Sequence, residues 1–160
     1  MGEMGIVRNK KTGKHVRKNS MPRKGYGQRS NSLKMKLMKK ENRTVLIVDD
    51  SILVMERMIP IMEEIDNISF VVHAASYKEG LEVLSRLTPD MVLLDINLPD
   101  KSGIELLRVI QERHLEIAVL MISNNADKYY RDICKKLGAR YFLDKSTDID
   151  LIPSVLSAAC

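Results

Sequence analysis

The chain has 160 residues, 44% of them hydrophobic, which is enough to bury one core and too few for two. Its uncharged apolar runs fall far short of the roughly twenty residues that cross a bilayer, and the N-terminus lacks a signal-peptide segment, so an unexported cytoplasmic protein with no transmembrane segment is expected. The formal charge of +5 hides a division: residues 1–43 carry 14 Lys and Arg against two Glu, whereas the rest carries 12 basic against 19 acidic residues, a tail of +12 on a body of −7. Cys134 and Cys160 are too few and too unpatterned for a disulfide framework or a thiolate metal site, and reduced thiols are expected.

Residues 1–43 are poor in large apolar side chains and rich in Gly, Ser and Asn, so they cannot bury enough surface to offset the entropy of ordering. A basic, disordered N-terminal extension is expected there, followed by one domain over residues 44–160. Leu33 to Lys40, LKMKLMKK, has the pattern of a short basic helix, uncapped and too short to be stable alone. Three readings of the extension stand open. It is a solvated tail, or a segment lying upstream of a true start at Met35 or Met38, or a nonspecific binder of nucleic acid or an anionic membrane surface through counterion release. Its one aromatic residue, Tyr26, gives base stacking little to work with.

The body alternates two kinds of segment. Val45 to Val48 reads as a strand ending on Asp49 and Asp50, and Ser51 caps a helix over Ile52 to Ile65. Pro60 lies inside that helical pattern, where a kink or a helix in two pieces is expected. Phe70 to His73 is the second strand and Tyr77 to Leu87 the second helix. Pro89 and Asp90 lead into a third strand, Met91 to Leu94, which ends on Asp95. A helix over Ile104 to Arg113 precedes the strand Ile117 to Ile122, which ends on Ser123. Lys128 to Leu137 is helical and stops at Gly138; Tyr141 to Leu143 is the fifth strand, followed by Lys145 and a last helix, Ile149 to Ala158. Strands that are apolar without alternation suit a sheet covered on both faces, and helices of this length suit crossover connections. The predicted fold is α/β, a (βα)5 doubly wound five-stranded parallel sheet.

Parallel strands share a carboxyl edge, so Asp49, Asp50, Asp95, Ser123 and Lys145 converge on one pocket. Three carboxylates held together repel one another unless they share a cation. Mg²⁺ suits hard oxygen ligands, and a backbone carbonyl in the Asn97 loop can supply one more. Lys145 offers a compact positive charge and Ser123 a hydroxyl toward an anion on the metal. These parts describe a site for phosphoryl transfer.

VLIVDDS, MVLLDINLPDKSG, VLMIS and GARYFLDKS resemble the receiver domain of two-component response regulators, over about Thr44 to Ala158 and in its stand-alone, single-domain form. The resemblance implies a flavodoxin-like, CheY-like fold and a phosphorylation-activated switch rather than an enzyme, one that at most phosphorylates and dephosphorylates itself. It makes Asp95 the phosphoacceptor, supplied by a phosphohistidine on a histidine kinase or histidine phosphotransfer protein. It assigns Mg²⁺ to Asp50, Asp95 and the Asn97 backbone carbonyl directly, with Asp49 acting through water. Ser123 and Lys145 would each bind a phosphoryl oxygen. Phe142 would be the aromatic whose burial follows the hydroxyl's movement and carries the change to a downstream protein target. Two positions depart from the family pattern. Ser146 stands where a proline usually follows the lysine, which leaves the cis peptide often found there unassured, and Asn124 and Asn125 follow Ser123.

Plainer readings stand beside these. An Asp after a strand is usually a turn former or cap, Ser123 can simply close a loop, Lys145 is by default solvated, and Phe142 is by default core. His73 reads as structural and His114 as an exposed residue at a helix end. Two competitors remain: a receiver-like interaction module that is never phosphorylated, and a metal-dependent phosphatase of the haloacid dehalogenase type. The latter opens its motif as D-x-D, whereas here the DD pair and Asp95 lie on different strands. With the chain stopping soon after the fifth helix, action by docking, relay or sequestration is expected.

Overall fold

In the computed structural model, the residues described are 6–8, 43–65 and 67–158. Six strands form one sheet: β1 (Ile6–Arg8), β2 (Arg43–Val48), β3 (Ile68–Ala74), β4 (Met91–Asp95), β5 (Ala118–Ser123) and β6 (Tyr141–Asp144). Their order is β1-β3-β2-β4-β5-β6, and β2 to β6 pair in parallel, the five-stranded doubly wound sheet expected. The helices are α1 (Ile52–Glu63), α2 (Tyr77–Arg86), α3 (Gly103–Glu112), α4 (Lys128–Lys136) and α5 (Ile152–Ala158). Among the described residues, no helix is long and apolar enough to cross a membrane.

Period-two alternation along the strands divides the core into two layers. Val45 and Ile47 of β2, with Leu93 and Leu120, meet α1 through Met55, Met58 and Met62 and α5 through Ile152 and Leu156. Leu46 and Val48, with Val92, Leu94 and Met121, meet α2, α3 and α4 through Val83, Leu106, Ile110 and Cys134 on the opposite face. Because both faces are covered, β4 is buried along all five of its residues, which explains its unbroken apolar run. Cys134 is buried in this layer and desolvation pushes its thiol up to about 11, so it behaves as a small apolar side chain.

Three differences from the sequence reading have local causes. The extension, expected to be disordered, contributes β1 at Ile6–Arg8, paired antiparallel with β3 in the register Ile6 to Val72. An edge strand is held by backbone hydrogen bonds, so it needs little of the apolar surface that the extension lacks. The predicted helix over Leu33 to Lys40 lies outside the described residues, as does the rest of the extension apart from Arg43, which opens β2. Second, of the two outcomes expected at Pro60 the helix in two pieces is not found, α1 being one helix from Ile52 to Glu63. Third, the predicted last helix begins as a 3-10 turn at Ile149–Leu151. Pro153 has no N–H to offer the Ile149 carbonyl, and the Ile152 N–H bonds it instead.

The helix ends follow their sequence signals. Gly138 closes α4 with a positive φ of 87°, its N–H bonding Lys135 O and the Ala139 N–H bonding Cys134 O. His114 does the same after α3 at φ 51°, with its N–H on Gln111 O and the Leu115 N–H on Ile110 O. It is exposed, as expected. A left-handed conformation is costly for a residue with a Cβ, so His114→Gly is expected to stabilise the fold by about 1 kcal/mol in thermal unfolding.

Candidate phosphoryl-transfer site

The parallel register brings four chain segments to one edge. Val48 pairs with Leu94 and Asp95 with Ile122, so Asp49, Asp95 and Ser123 emerge from three adjacent strands at nearly one level. β6 adds Lys145, whose N–H bonds Ser123 O at 3.0 Å. Asp49 is 0% exposed, Asp95 3% and Ser123 0%, whereas Asp50 faces solvent. One oxygen from each of Asp49, Asp50 and Asp95 lies within 4.8 Å of the others.

Lys145 joins the two buried carboxylates. Its Nζ lies 2.7 Å from Asp49 Oδ2 and 3.1 Å from Asp95 Oδ2, with the side chain 8% exposed. The default reading of Lys145 as a solvated charge is therefore set aside. The Asp49 contact is close as an ion pair but is not aligned as a hydrogen bond, and Asp49 Oδ2 and Asp95 Oδ1 both remain without a hydrogen-bond partner. Burial pushes the Asp95 carboxyl above its usual range and the Asp49 charge adds to this, against the pull of Lys145 and of the Asn97 backbone N–H. Three carboxylates against one ammonium leave two surplus negative charges, which a divalent cation matches. Hard oxygen donors with two unsatisfied buried atoms among them fit Mg²⁺.

The frame around these groups is set by backbone contacts. Asp49 Oδ1 accepts from the Ser51 N–H at 2.9 Å, and the Ser51 hydroxyl caps α1 at Val54. His73 Nε2 donates to Asp49 O at 2.9 Å; a carbonyl only accepts, so Nε2 carries the proton. The structural role read for His73 thus bears directly on the site. Ser123 Oγ accepts from the Asn125 N–H at 3.1 Å, so the hydroxyl does close its loop while remaining buried at the pocket floor. Beyond Lys145 no cis peptide is found among the described residues. Asp144 and Asp148 close that turn instead: Asp144 Oδ1 takes the Ser146 N–H at 2.7 Å and Asp148 Oδ2 takes the Asp144 N–H at 3.0 Å.

Phe142 is half-buried, and its neighbour was not foreseen. Arg131 of α4 stacks over the Phe142 ring at 4.9 Å, donates from Nε to Ala126 O at 2.9 Å and from Nη1 to Phe142 O at 3.2 Å. One guanidinium thus ties the loop after Ser123 to β6. A basic residue on an exposed helix carries no sequence signal of such a contact. Gly103 was legible as part of a motif, but its reason is spatial: a Cβ there would stand 1.9 Å from Asp95 O.

The sequence profile described as the response regulator receiver domain matches residues 45–157. The chain belongs to this family. It is 30% identical over 115 residues to the transcriptional regulatory protein YdfI of Bacillus subtilis, covering 72% of this chain and 54% of that protein. With the nitrate/nitrite response regulator protein NarL of Escherichia coli it shares 28% over 121 residues, 74% of this chain and 56% of that protein. The chain thus spans about half the length of these two relatives. Among solved structures, the receiver domain of the Francisella response regulator 1452 superposes with a TM-score of 0.67 at 23% identity, covering 74% of this chain and 96% of that one. A CheY-like receiver domain protein from Methanospirillum hungatei gives 0.64 at 25% identity, over 73% and 93%. These likenesses agree on the fold and on the extent of the domain.

Two outcomes follow from the packing. Between the ordinary carboxylate value of 3.8 and the raised value of Asp95, the folded receiver holds a proton that the unfolded chain has released, so this group's contribution to stability falls as pH rises through that window. Without divalent cations, the gain in melting temperature of Asp95→Asn over the natural protein is therefore expected to be larger near about pH 7 than near about pH 4. Gly103→Ala forces α3 off the Asp95 backbone and is expected to cost about 1–3 kcal/mol in denaturant unfolding.

Proposed function

We propose that this receiver is a phosphorylation-activated switch of a two-component or phosphorelay system, with Asp95 as the phosphoacceptor. The observation that carries this reading is the Lys145 ammonium bridging two buried carboxylates beside a third, with Asp95 Oδ1 left unpartnered. Mg²⁺ would be held by Asp50, Asp95 and the Asn97 backbone carbonyl, with Asp49 through water. When bound it neutralises charge on the transferring group. Asp95 supplies the nucleophilic oxygen. The new oxygen–phosphorus bond forms as the phosphorus–nitrogen bond of a donor phosphohistidine breaks, and the electron pair returns to the imidazole, which takes a proton. Lys145 leaves its carboxylate partner for a phosphoryl oxygen, and the Ser123 hydroxyl donates to another.

The partners follow from the surface and the chemistry. Ile52 and Leu53, each 74% exposed, open α1 directly after Asp50 and Ser51 and offer an apolar contact to a histidine kinase or phosphotransfer protein bringing its phosphohistidine to the rim. The output is a protein–protein contact on α4, β6 and α5, where movement of Ser123 draws in Phe142 and shifts Arg131. In this reading the protein works in the cytoplasm and is a switch rather than an enzyme acting on a separate substrate. The protein-glutamate methylesterase/protein-glutamine glutaminase of Clostridium acetobutylicum shares 32% identity over 107 residues, only 31% of its own length, so most of that protein lies outside the match. The basic extension over residues 1–43 is proposed as an accessory to this switch, with its charge available to a polyanion.

Intact mass after incubation with a small-molecule phosphodonor and Mg²⁺ tests the switch. One phosphate adduct is expected on the natural protein and none on Asp95→Asn; an equal adduct on both, or none on either, overturns it. Arg131→Ala is expected to leave the adduct in place while changing the amide signals of residues 124–127 and 141–143 on phosphorylation.

A further inference from the structure

The loop that follows the phosphoacceptor is tied to a helix with which it shares no sequence motif. Asp100, between β4 and α3, reaches the start of α2: Oδ1 accepts the Tyr77 N–H at 2.8 Å and Oδ2 the Lys78 N–H at 2.9 Å. These are the first two N–H groups of α2, which lack intrahelical partners. The third, on Glu79, goes to the Ser76 hydroxyl at 3.2 Å, so two caps from different segments share one helix end. Asp100 Oδ1 also takes the Lys101 N–H at 3.0 Å, and Lys101 Nζ stands 4.9 Å over the Tyr77 ring. Burial works against the ionised Asp100, but the N–H groups of Lys78 and Tyr77 outweigh it and hold its carboxyl below the usual range.

The same short loop carries Asn97. Its far end is closed by an Asn97–Ser102 bridge and by the Gly103 N–H on Ile96 O at 2.8 Å, with Gly103 packed against the Asp95 carbonyl. These contacts join the loop only to itself and to β4. Among the described residues, the Asp100 pair supplies the backbone hydrogen bonds that fasten it to the other wall of the pocket, with Lys101 over the Tyr77 ring beside them, and there Ala74 O bonds the Asp49 N–H at 3.0 Å just before α2 begins. A loop of exposed residues otherwise loses its ligand geometry to local motion.

We propose that Asp100 is a positioning residue for the divalent cation: by capping α2 from the loop it holds the Asn97 backbone carbonyl in place over the acidic pocket. The inference rests on the reading of Asn97 as a metal ligand under Proposed function. Asp100 touches neither metal nor phosphoryl group and acts through backbone it restrains, as outer contacts do in metal sites.

Titration calorimetry with Mg²⁺ alone on the full chain separates this role from helix capping. Asp100→Ala is expected to raise the Mg²⁺ dissociation constant roughly tenfold, with Asp100→Asn in between because its one acceptor oxygen still serves Tyr77. Ser76→Ala removes the other cap of the same helix end and is expected to lower the melting temperature while leaving Mg²⁺ affinity as in the natural protein. At saturating Mg²⁺, phosphorylation of Asp100→Ala by a small-molecule donor is expected to stay within about twofold of the natural rate. Natural-like Mg²⁺ affinity in Asp100→Ala, or an equal loss in Ser76→Ala, overturns the proposal and leaves the switch standing. Absence of Mg²⁺ binding by the natural protein overturns both.

Discussion

The structure depends on one ammonium group placed between two buried carboxylates. Asp49 and Asp95 sit at the ends of neighbouring parallel strands, where the fold removes them from water and sets like charges side by side. Either charge alone would be costly there, and together they repel. Lys145 meets both, at 2.7 and 3.1 Å, from the end of β6, two places along the sheet from β4 and three from β2. The compensation is incomplete: a third carboxylate, Asp50, stands at the rim, and two buried oxygens, Asp49 Oδ2 and Asp95 Oδ1, lack a hydrogen bond. A site that is electrostatically unfinished in the free chain is one that a cation and a phosphoryl group can complete.

That incompleteness sets function against stability. The Asp95 carboxyl is pushed up by burial and by Asp49, so its ionised form, the one the proposed phosphoryl transfer needs, is the form the fold favours least. The cost is tolerated because the apolar layers on both sheet faces are continuous, with Leu46, Ile47, Leu93 and Leu94 fully buried beneath the site. Rigid strands beneath and short loops above divide the work. The strands hold the carboxylates, and the loops after β4, β5 and β6 carry the groups that must adjust.

Each of those loops is restrained by a polar contact, two of them from another segment and the third from within its own turn. Asp100 fastens the loop after β4 to α2, Arg131 joins the loop after β5 to β6, and Asp148 closes the turn after β6 where a proline is usual in the family. These restraints are polar and partly exposed, so they are individually weak and exchangeable, in contrast to the apolar core. The antiparallel strand at Ile6–Arg8 is a fourth addition, laid on the edge of β3 far in sequence from the domain it extends.

The sequence by itself determined the fold and the acidic half of the site. Five apolar runs without alternation require a sheet covered on both faces, and parallel strands carry whatever follows them to one edge, which gathers Asp49, Asp50, Asp95, Ser123 and Lys145. Helix ends were legible where chemistry dictates them, at Ser51 and Gly138. What tertiary structure alone decided were contacts between residues with no shared period or motif. Lys145 binds the carboxylates to each other in the free chain, Gly103 is a glycine because the Asp95 carbonyl leaves no room for a Cβ, and Asp100 and Arg131 cap and stack across segments. Periodicity records which face of an element is buried, because burial repeats along the chain. A single side chain reaching across a gap repeats nothing, so only the packed fold reveals it.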